Sequence, residues 1–243
     1  TKHSDTEVLF KILIREGIQG LKKLNGMFAF AFYNILEDKI ILGRDNLGIK
    51  PLYYSLQNGE FCFSSELKSF KTNFKNKIDK QSLFNYLSLM YVPGKDSIFK
   101  NVKKLDLGSV IIYNTKNSSI KIEKFIDVNF FKINLLKTKK IENLIYDNFI
   151  SAVQRWSYSD VPIACALSGG LDSSSILGAL NKLKIPVDTF SLGYEKDIND
   201  KTSDLFLAKK VANYWGSNHT EIILKPEDFL KDLNKMIWAL DEP

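Results

Sequence analysis

The sequence predicts two halves: an α+β half over residues 1–135 and an α/β half with a doubly wound parallel sheet over residues 136–243. Two observations carry this. In the first half, short runs such as "MFAFAFY" alternate large apolar with small residues and are broken by tight-turn signals. In the second, apolar strand-like runs alternate with helical patterns across short connections, the mark of a parallel sheet.

"SDTEVLFKILIREG" reads as a helix, with Ser4 or Asp5 as N-cap, Glu7 in the first turn and Gly17 past the end. Val8, Leu9, Ile12 and Leu13 form its apolar face. In "MFAFAFY", Phe28, Phe30 and Phe32 line one face of a strand, and Ala29 and Ala31 let a second layer approach the other. After the turn "NILED", "DKIILGRD" is a second strand. "PLYYSLQNGEFCFSSE" is a hairpin, because Asn58-Gly59 is a strong two-residue turn signal. Cys62 lies in its second strand, with no base beside it, and reads as a packing residue. "DKQSLFNYLSLMY" is a helix capped by Asp79, with Leu83, Phe84, Leu87 and Met90 as its apolar face. The pattern is sheet on sheet with helices outside.

The short run "KTKK" reads as a solvated linker between the halves. "KKIENLIYDNFISAVQRW" is amphipathic, with Ile141, Leu144, Ile145, Phe149, Ala152, Val153 and Trp156 on one side. "VPIACAL", "VDTFSLGY" and "HTEIIL" are strands. "SSSILGALNKL", "DLFLAKKVANYWG" and "PEDFLKDLNKMIWAL" are helices, the second closed by Gly216 and the third opened by Pro226.

Bulk properties set limits. The chain has 243 residues, 44% hydrophobic and 26% charged, an ordinary soluble balance with room for two small domains. No apolar run approaches a membrane span, and "TKHSDTEV" is neither a signal nor a transit peptide. Without an initiator methionine, the chain is expected to begin part-way through a longer protein. A charge of +6 would suit nucleic acid, but arginine, the preferred reader of bases and phosphates, occurs only as Arg15, Arg44 and Arg155. The reading is therefore no nucleic acid and no membrane. Cys62 and Cys165 are too few for a disulfide framework, and a cytoplasmic, reducing location is expected. His3 and His219 stand alone.

Ligands of parallel α/β sheets sit at the carboxyl ends of strands, which is where "SGGLDSS" falls. Gly169 and Gly170 allow a tight turn and close approach of backbone N–H groups to an anion. The following helix adds positive partial charge, and Ser168, Ser173 and Ser174 add hydroxyls. Asp172 would repel a phosphate unless Mg²⁺ lies between them. No "GK[ST]" lysine follows, so this is not a Walker loop.

"SDTEV", "LNGMFAFAFY", "GRDNLGIKPLYY" and "FSSELKSF" stand in the order found in class II glutamine amidotransferase domains, and specifically resemble those of asparagine synthetases. "YVPGKDSIFKNVKKLDLGSVIIY" resembles the segment that follows in that family. The resemblance implies a partial N-terminal-nucleophile-type αββα sandwich, the C-terminal part of the amidotransferase domain, over 1–135. It also implies that Asp5 pairs with the α-ammonium of glutamine; the alternative for Asp5 is a plain helix N-cap. In the family the nucleophile is a cysteine at the mature N-terminus, whose α-amino group acts as base. This sequence shows no such cysteine, so the chain as it stands is expected not to hydrolyse glutamine. Truncation or natural loss would each explain this.

"SGGLDSS" is similar to the pyrophosphate loop of ATP pyrophosphatases, which cleave between α- and β-phosphates and adenylate a substrate. That resemblance implies the N-terminal part of an asparagine synthase ATP-binding domain over 136–243. ATP would be held by Leu167, Ser168, Gly169, Gly170, Asp172, Ser173, Ser174 and Leu192, with the two leucines on the adenosine and Asp172 on Mg²⁺. The expected substrates are glutamine, aspartate and ATP, joined through a β-aspartyl-adenylate, and the family leaves room for a homodimer. The chain stops at "WALDEP", before the stretch expected to bind aspartate, so a fragment lacking both ends is expected. Two alternatives stay open: a β-lactam synthetase-like enzyme acting on another carboxylate, and a non-catalytic amidotransferase-like binding module.

Overall fold

The computed structural model describes residues 4–70, 77–126, 138–195 and 200–241. The chain forms two compact units, Thr1–Phe131 with Met236–Pro243, and Lys132–Lys235. The expected boundary at 135/136 lies outside the described residues. The chain end from Met236 groups with the first unit. The cause is local. The Asp241 carboxylate accepts from the N–H groups of Leu67 and Lys68, and Lys68 Nζ donates to the Trp238 carbonyl at 2.9 Å.

The first unit opens with helix α1 (Asp5–Glu16) and a 3-10 stretch, Gly17–Lys23. Strands β1 (Ala29–Asn34), β2 (Lys39–Arg44), β3 (Tyr53–Gln57) and β4 (Glu60–Ser64) follow, then α2 (Lys80–Leu89), β5 (Lys103–Lys104), β6 (Ser109–Asn114) and β7 (Ile120–Lys124). They form an antiparallel sheet of order β1-β2-β6-β7 and a smaller one of order β4-β3-β5. The β3–β4 turn takes positive φ at both Asn58 (52°) and Gly59 (82°), as a right-twisted two-residue hairpin requires.

Strand alternation sorts the layers. Phe28, Phe30 and Phe32 pack with Leu9, Leu13 and Leu21 on the α1 side. On the other face Ala29, Leu42, Ile111 and Tyr113 meet Tyr54 and Phe61 of the second sheet and Leu52 just before it. The Phe61 and Tyr113 rings stack there at 4.3 Å. Beyond that sheet, Tyr53 and Cys62 pack with Leu67, Phe70 and Val102.

Helix α2 differs from expectation. Asp79 does cap it, accepting from the Ser82 N–H at 2.8 Å. But Phe84, Leu87 and Met90 are 64–76% exposed, and Ser82 is the buried residue. The cap, with the Asp79 N–H bonded to the Ile98 carbonyl, fixes the helix with its polar side inward.

The second unit contains α3 (Thr138–Trp156), β8 (Ala164–Ala166), α4 (Leu171–Lys182), β9 (Asp188–Tyr194), α5 (Asp204–Trp215), β10 (His219–Leu224) and the part of α6 (Pro226–Leu240) that precedes Met236. All three strands are parallel, in the order β10-β9-β8. The order steps in one direction, and the reversal that defines double winding is not seen among the described residues. Leu167, Leu177, Ala208 and Ala212 form the core under α4 and α5. Thr138–Lys140, expected as linker, form the first turn of α3, where Lys139 pairs with Glu142. Helix α3 buries none of its residues fully, and Ile145 is 65% exposed, so its amphipathic face is only partly used.

Leu42→Ala should lower the opening free energy of β2 and β6 amides by about 2–5 kcal/mol, because the side chain is fully buried between two sheets. Leu87→Ser should change the same amides by less than about 0.5 kcal/mol. Native-state hydrogen exchange checks both. Equal effects would mean that the two faces are wrongly assigned.

Candidate functional site

In the first unit a cavity of about 800 Å³ is lined by three stretches: the start of α1, residues 24–31, and Lys50-Pro51, with Ser65 beside them. Asp5 lies in its wall. Ser4 holds the N-cap conformation, φ −98° and ψ 138°, and its hydroxyl accepts from the Thr6 N–H at 3.2 Å. Asp5 is therefore the first helical residue rather than the cap, although its Oδ1 also accepts from Thr6 N–H at 2.7 Å. The α1 positions Val8 and Leu9, Phe28 just before β1 and Phe30 within it make the rest of the wall largely apolar.

Sequence reasoning missed how the loop beside this cavity is held. Arg44 ends β2 and reaches back over residues 46–50. Its guanidinium donates to the carbonyls of Lys50 (2.9 Å), Gly48 (2.7 Å) and Leu105 (2.8 Å). Asp45, 1% exposed, takes the opposite role and accepts backbone N–H groups. Burial pushes its carboxyl pKa up. The donors of Lys50, Ile49, Leu47 and Phe28 outweigh that and hold it below the usual carboxylate range. Cys62 is different: burial and then Glu60 push its thiol up, which fits packing and not nucleophilic attack.

In the second unit the loop leaves β8 and turns into α4. Leu167 continues the ladder, its N–H donating to the Phe190 carbonyl at 2.8 Å. Its side chain, expected on a nucleotide, is 2% exposed and belongs to the core. Its carbonyl accepts from the buried Ser191 hydroxyl. Leu192, on β9, is 64% exposed. Ser168 and Ser173 hydroxyls lie 3.1 Å apart, Ser168 N–H donates to Ser173 Oγ, and Gly170 N–H donates to Ser168 Oγ. The N-cap of α4 is Gly170, with no capping side chain. The first-turn N–H groups thus face outward without an internal acceptor from a cap. Asp172 is exposed in that turn.

Ser174 does not join this group. Its hydroxyl is buried, has no hydrogen-bond partner among the described residues, and lines a second cavity with Tyr146, Phe149 and Gly178. Gly169 is required twice over. It has φ +76°, and a Cβ there would come within 2.6 Å of Ala208 N and Leu207 Cβ. At Gly170 a Cβ would meet only Ser168 Oγ, at 3.3 Å.

The sequence model of the glutamine amidotransferase domain family matches residues 1–126, more than half of the chain. The chain belongs to this family. A second model, for asparagine synthase, matches residues 144–243. A provisionally named glutamine-hydrolyzing asparagine synthetase of Methanocaldococcus jannaschii is 34% identical over 249 residues, covering 99% of this chain and 47% of the relative. Asparagine synthetase 1 of Bacillus subtilis is 32% identical, over 99% of this chain and 37% of the relative. The asparagine synthetase of Mesocricetus auratus is 28% identical, over 98% and 42%. The chain therefore spans about half, or less, of the length of the curated relatives it matches. Among the described residues, no helix is long and apolar enough to cross a membrane.

Gly169→Ala should destabilise the second unit by about 1–3 kcal/mol, through left-handed strain and the clash with α5. Gly170→Ala should cost less than about 1 kcal/mol. Denaturation followed by fluorescence, with Trp215 packed in that core, separates them. Equal losses would refute the packing role given to Gly169.

Proposed function

We propose that the protein carries out ATP-dependent synthesis of asparagine from aspartate and glutamine. ATP adenylates the β-carboxyl of aspartate and releases pyrophosphate. Adenylation is needed because a carboxylate is a poor electrophile. Ammonia, from the amide of glutamine, attacks the acyl-adenylate and gives asparagine and AMP.

The observation that carries the reading is the start of α4, a helix without a capping side chain, beside the paired hydroxyls of Ser168 and Ser173. Such a terminus is suited to an anion. The loop's present hydrogen bonds join its own donors and hydroxyls, so phosphate oxygens can replace them. In this reading Ser168, Gly169, Gly170 and Ser173 hold the pyrophosphate. Leu167 contributes through its main chain, Leu192 lies against the adenosine, and Ser174 supports the helix from its buried side. Mg²⁺ fits at Asp172, since that ion is commonly held by one or two carboxylates plus substrate phosphates. When bound it offsets phosphate charge. The described residues contain no cluster of three carboxylate, histidine or cysteine ligands that would suit a site made by protein alone.

Asp5 supports the glutamine half of the reading. Ser4 holds the cap position, and the Asp5 carboxylate stands in the cavity wall, where it can take the α-ammonium of glutamine. The nucleophile belongs, by family resemblance, to an N-terminal cysteine; half-buried Cys62 and buried Cys165 are unsuited, since desolvation pushes both thiols up. A cytoplasmic location goes with this reading, supported by two free cysteines.

In the full-length protein, Asp172→Asn should abolish synthesis and leave glutamine hydrolysis within about twofold, because the two chemistries use separate units. Parallel loss of both activities in folded protein would overturn that division. Asp5→Asn should raise the KM for glutamine by about tenfold or more, as expected for losing a charge-assisted bond. Synthesis driven by free ammonia should stay near normal. An unchanged KM would return Asp5 to a helix-end role.

A further inference from the structure

We propose that Asp45 is the positioning residue of the glutamine cavity, a buried carboxylate that ties two of the cavity's lining segments to each other. The inference rests on the reading of that cavity given above. It assigns a role to a residue that touches no substrate.

The geometry is specific. Asp45 Oδ2 accepts from two backbone donors of separate segments, Phe28 N–H at 3.3 Å and Lys50 N–H at 2.9 Å. Phe28 and Lys50 both line the cavity. Oδ1 accepts from Leu47 N–H at 3.1 Å and Ile49 N–H at 2.9 Å, which folds the intervening loop around the carboxylate. The main chain of Asp45 continues the tie. Its N–H donates to the Phe28 carbonyl at 2.8 Å, and its carbonyl accepts from Gly48 N–H at 3.1 Å and Gly108 N–H at 2.9 Å. Seven hydrogen bonds thus converge on one residue, and three of them involve Phe28 or Lys50 through a single oxygen or the adjoining main chain.

A plain loop staple would need only the bonds to Leu47, Ile49 and Lys50. The bonds to Phe28 do something else. They fix the start of β1, just after Asn25, Gly26 and Met27, relative to Lys50-Pro51. The carboxylate is suited to this because it offers acceptors alone and no donor. An asparagine would present an NH₂ group to one of the two donor pairs and, being neutral, would hold the other pair less strongly, so the tie weakens in either orientation. Arg44 cannot substitute, because it meets only carbonyls.

The test compares wild type and Asp45→Asn in the full-length protein, well below the thermal transition. The KM for glutamine should rise by about tenfold, and ammonia-driven synthesis and the KM for ATP should stay within about twofold. A merely structural staple would lower the active fraction in both reactions equally and leave the glutamine KM unchanged, which would overturn the proposal. Amide exchange gives an answer that needs no substrate. In the variant, Phe28 and Lys50 amides should exchange at least about tenfold faster while Val110 and Ile111 stay within about twofold. Uniform acceleration would overturn it. If Asp45→Asn does not fold, the wild type decides: Phe28 and Lys50 amides should share one opening free energy, and different values would overturn the tie. Absence of glutamine-dependent activity in the wild type would instead sink the reading of the cavity, with the tie still judged by exchange.

Discussion

A loop that leaves a strand and lines a cavity must still find partners for its own N–H and C=O groups, and both candidate sites are shaped by how that is done. In the first unit two consecutive side chains divide the work. Arg44 collects carbonyls and Asp45 collects N–H groups, over the same five-residue stretch. The division follows from chemistry. A guanidinium offers only donors and an ionised carboxylate only acceptors, so neither competes for the other's partners. Burial of Asp45 would be costly without its donors; with four of them the charge is retained.

The second unit solves the same problem with hydroxyls. Ser191 satisfies the Leu167 carbonyl from the neighbouring strand, and Ser168 and Ser173 share the donors of the turn. A hydroxyl can both donate and accept and can rotate, so these bonds are exchangeable in a way that those of Asp45 are not. One loop is held fixed by charge. The other is held by groups that can be handed to a ligand. That contrast is in keeping with the proposed roles, a cavity whose walls keep their spacing and a loop that opens its donors to an anion.

Much of this was legible in the sequence. The hairpin at Asn58-Gly59, the phenylalanine face of β1 and the three parallel strands follow from turn chemistry and periodicity, and the structure has them. "SGGLDSS" was legible as a loop opening a helix. The side-chain direction of Ser174 was not legible: successive helix residues point about 100° apart, and its hydroxyl lies on the buried side of α4, away from those of Ser168 and Ser173. The apolar spacing of α2 told which face is apolar but not which face is covered, and Phe84, Leu87 and Met90 lie exposed. The role of Arg44 and Asp45 was invisible because their partners are main-chain atoms, which carry no residue-type signal. The only hint was an Arg-Asp pair at a strand end with Gly48 and Pro51 close behind, a composition that asks for a tight loop.

Local rules are kept nearly everywhere and broken where the chemistry is proposed. Helix α1 has Ser4 as a capping side chain, α2 has Asp79 and α5 has Ser203. Helix α4 has Gly170, which offers none. A serine or aspartate at that position would stabilise the helix by only a few tenths of a kcal/mol, since glycine is itself a tolerated N-cap. It would also fill the seat where an anion can meet the first-turn N–H groups, and an aspartate would add a repelling charge beside Asp172. The absent capping side chain thus costs little, and it separates α4 from α1, α2 and α5, in keeping with the proposed anion at its first turn.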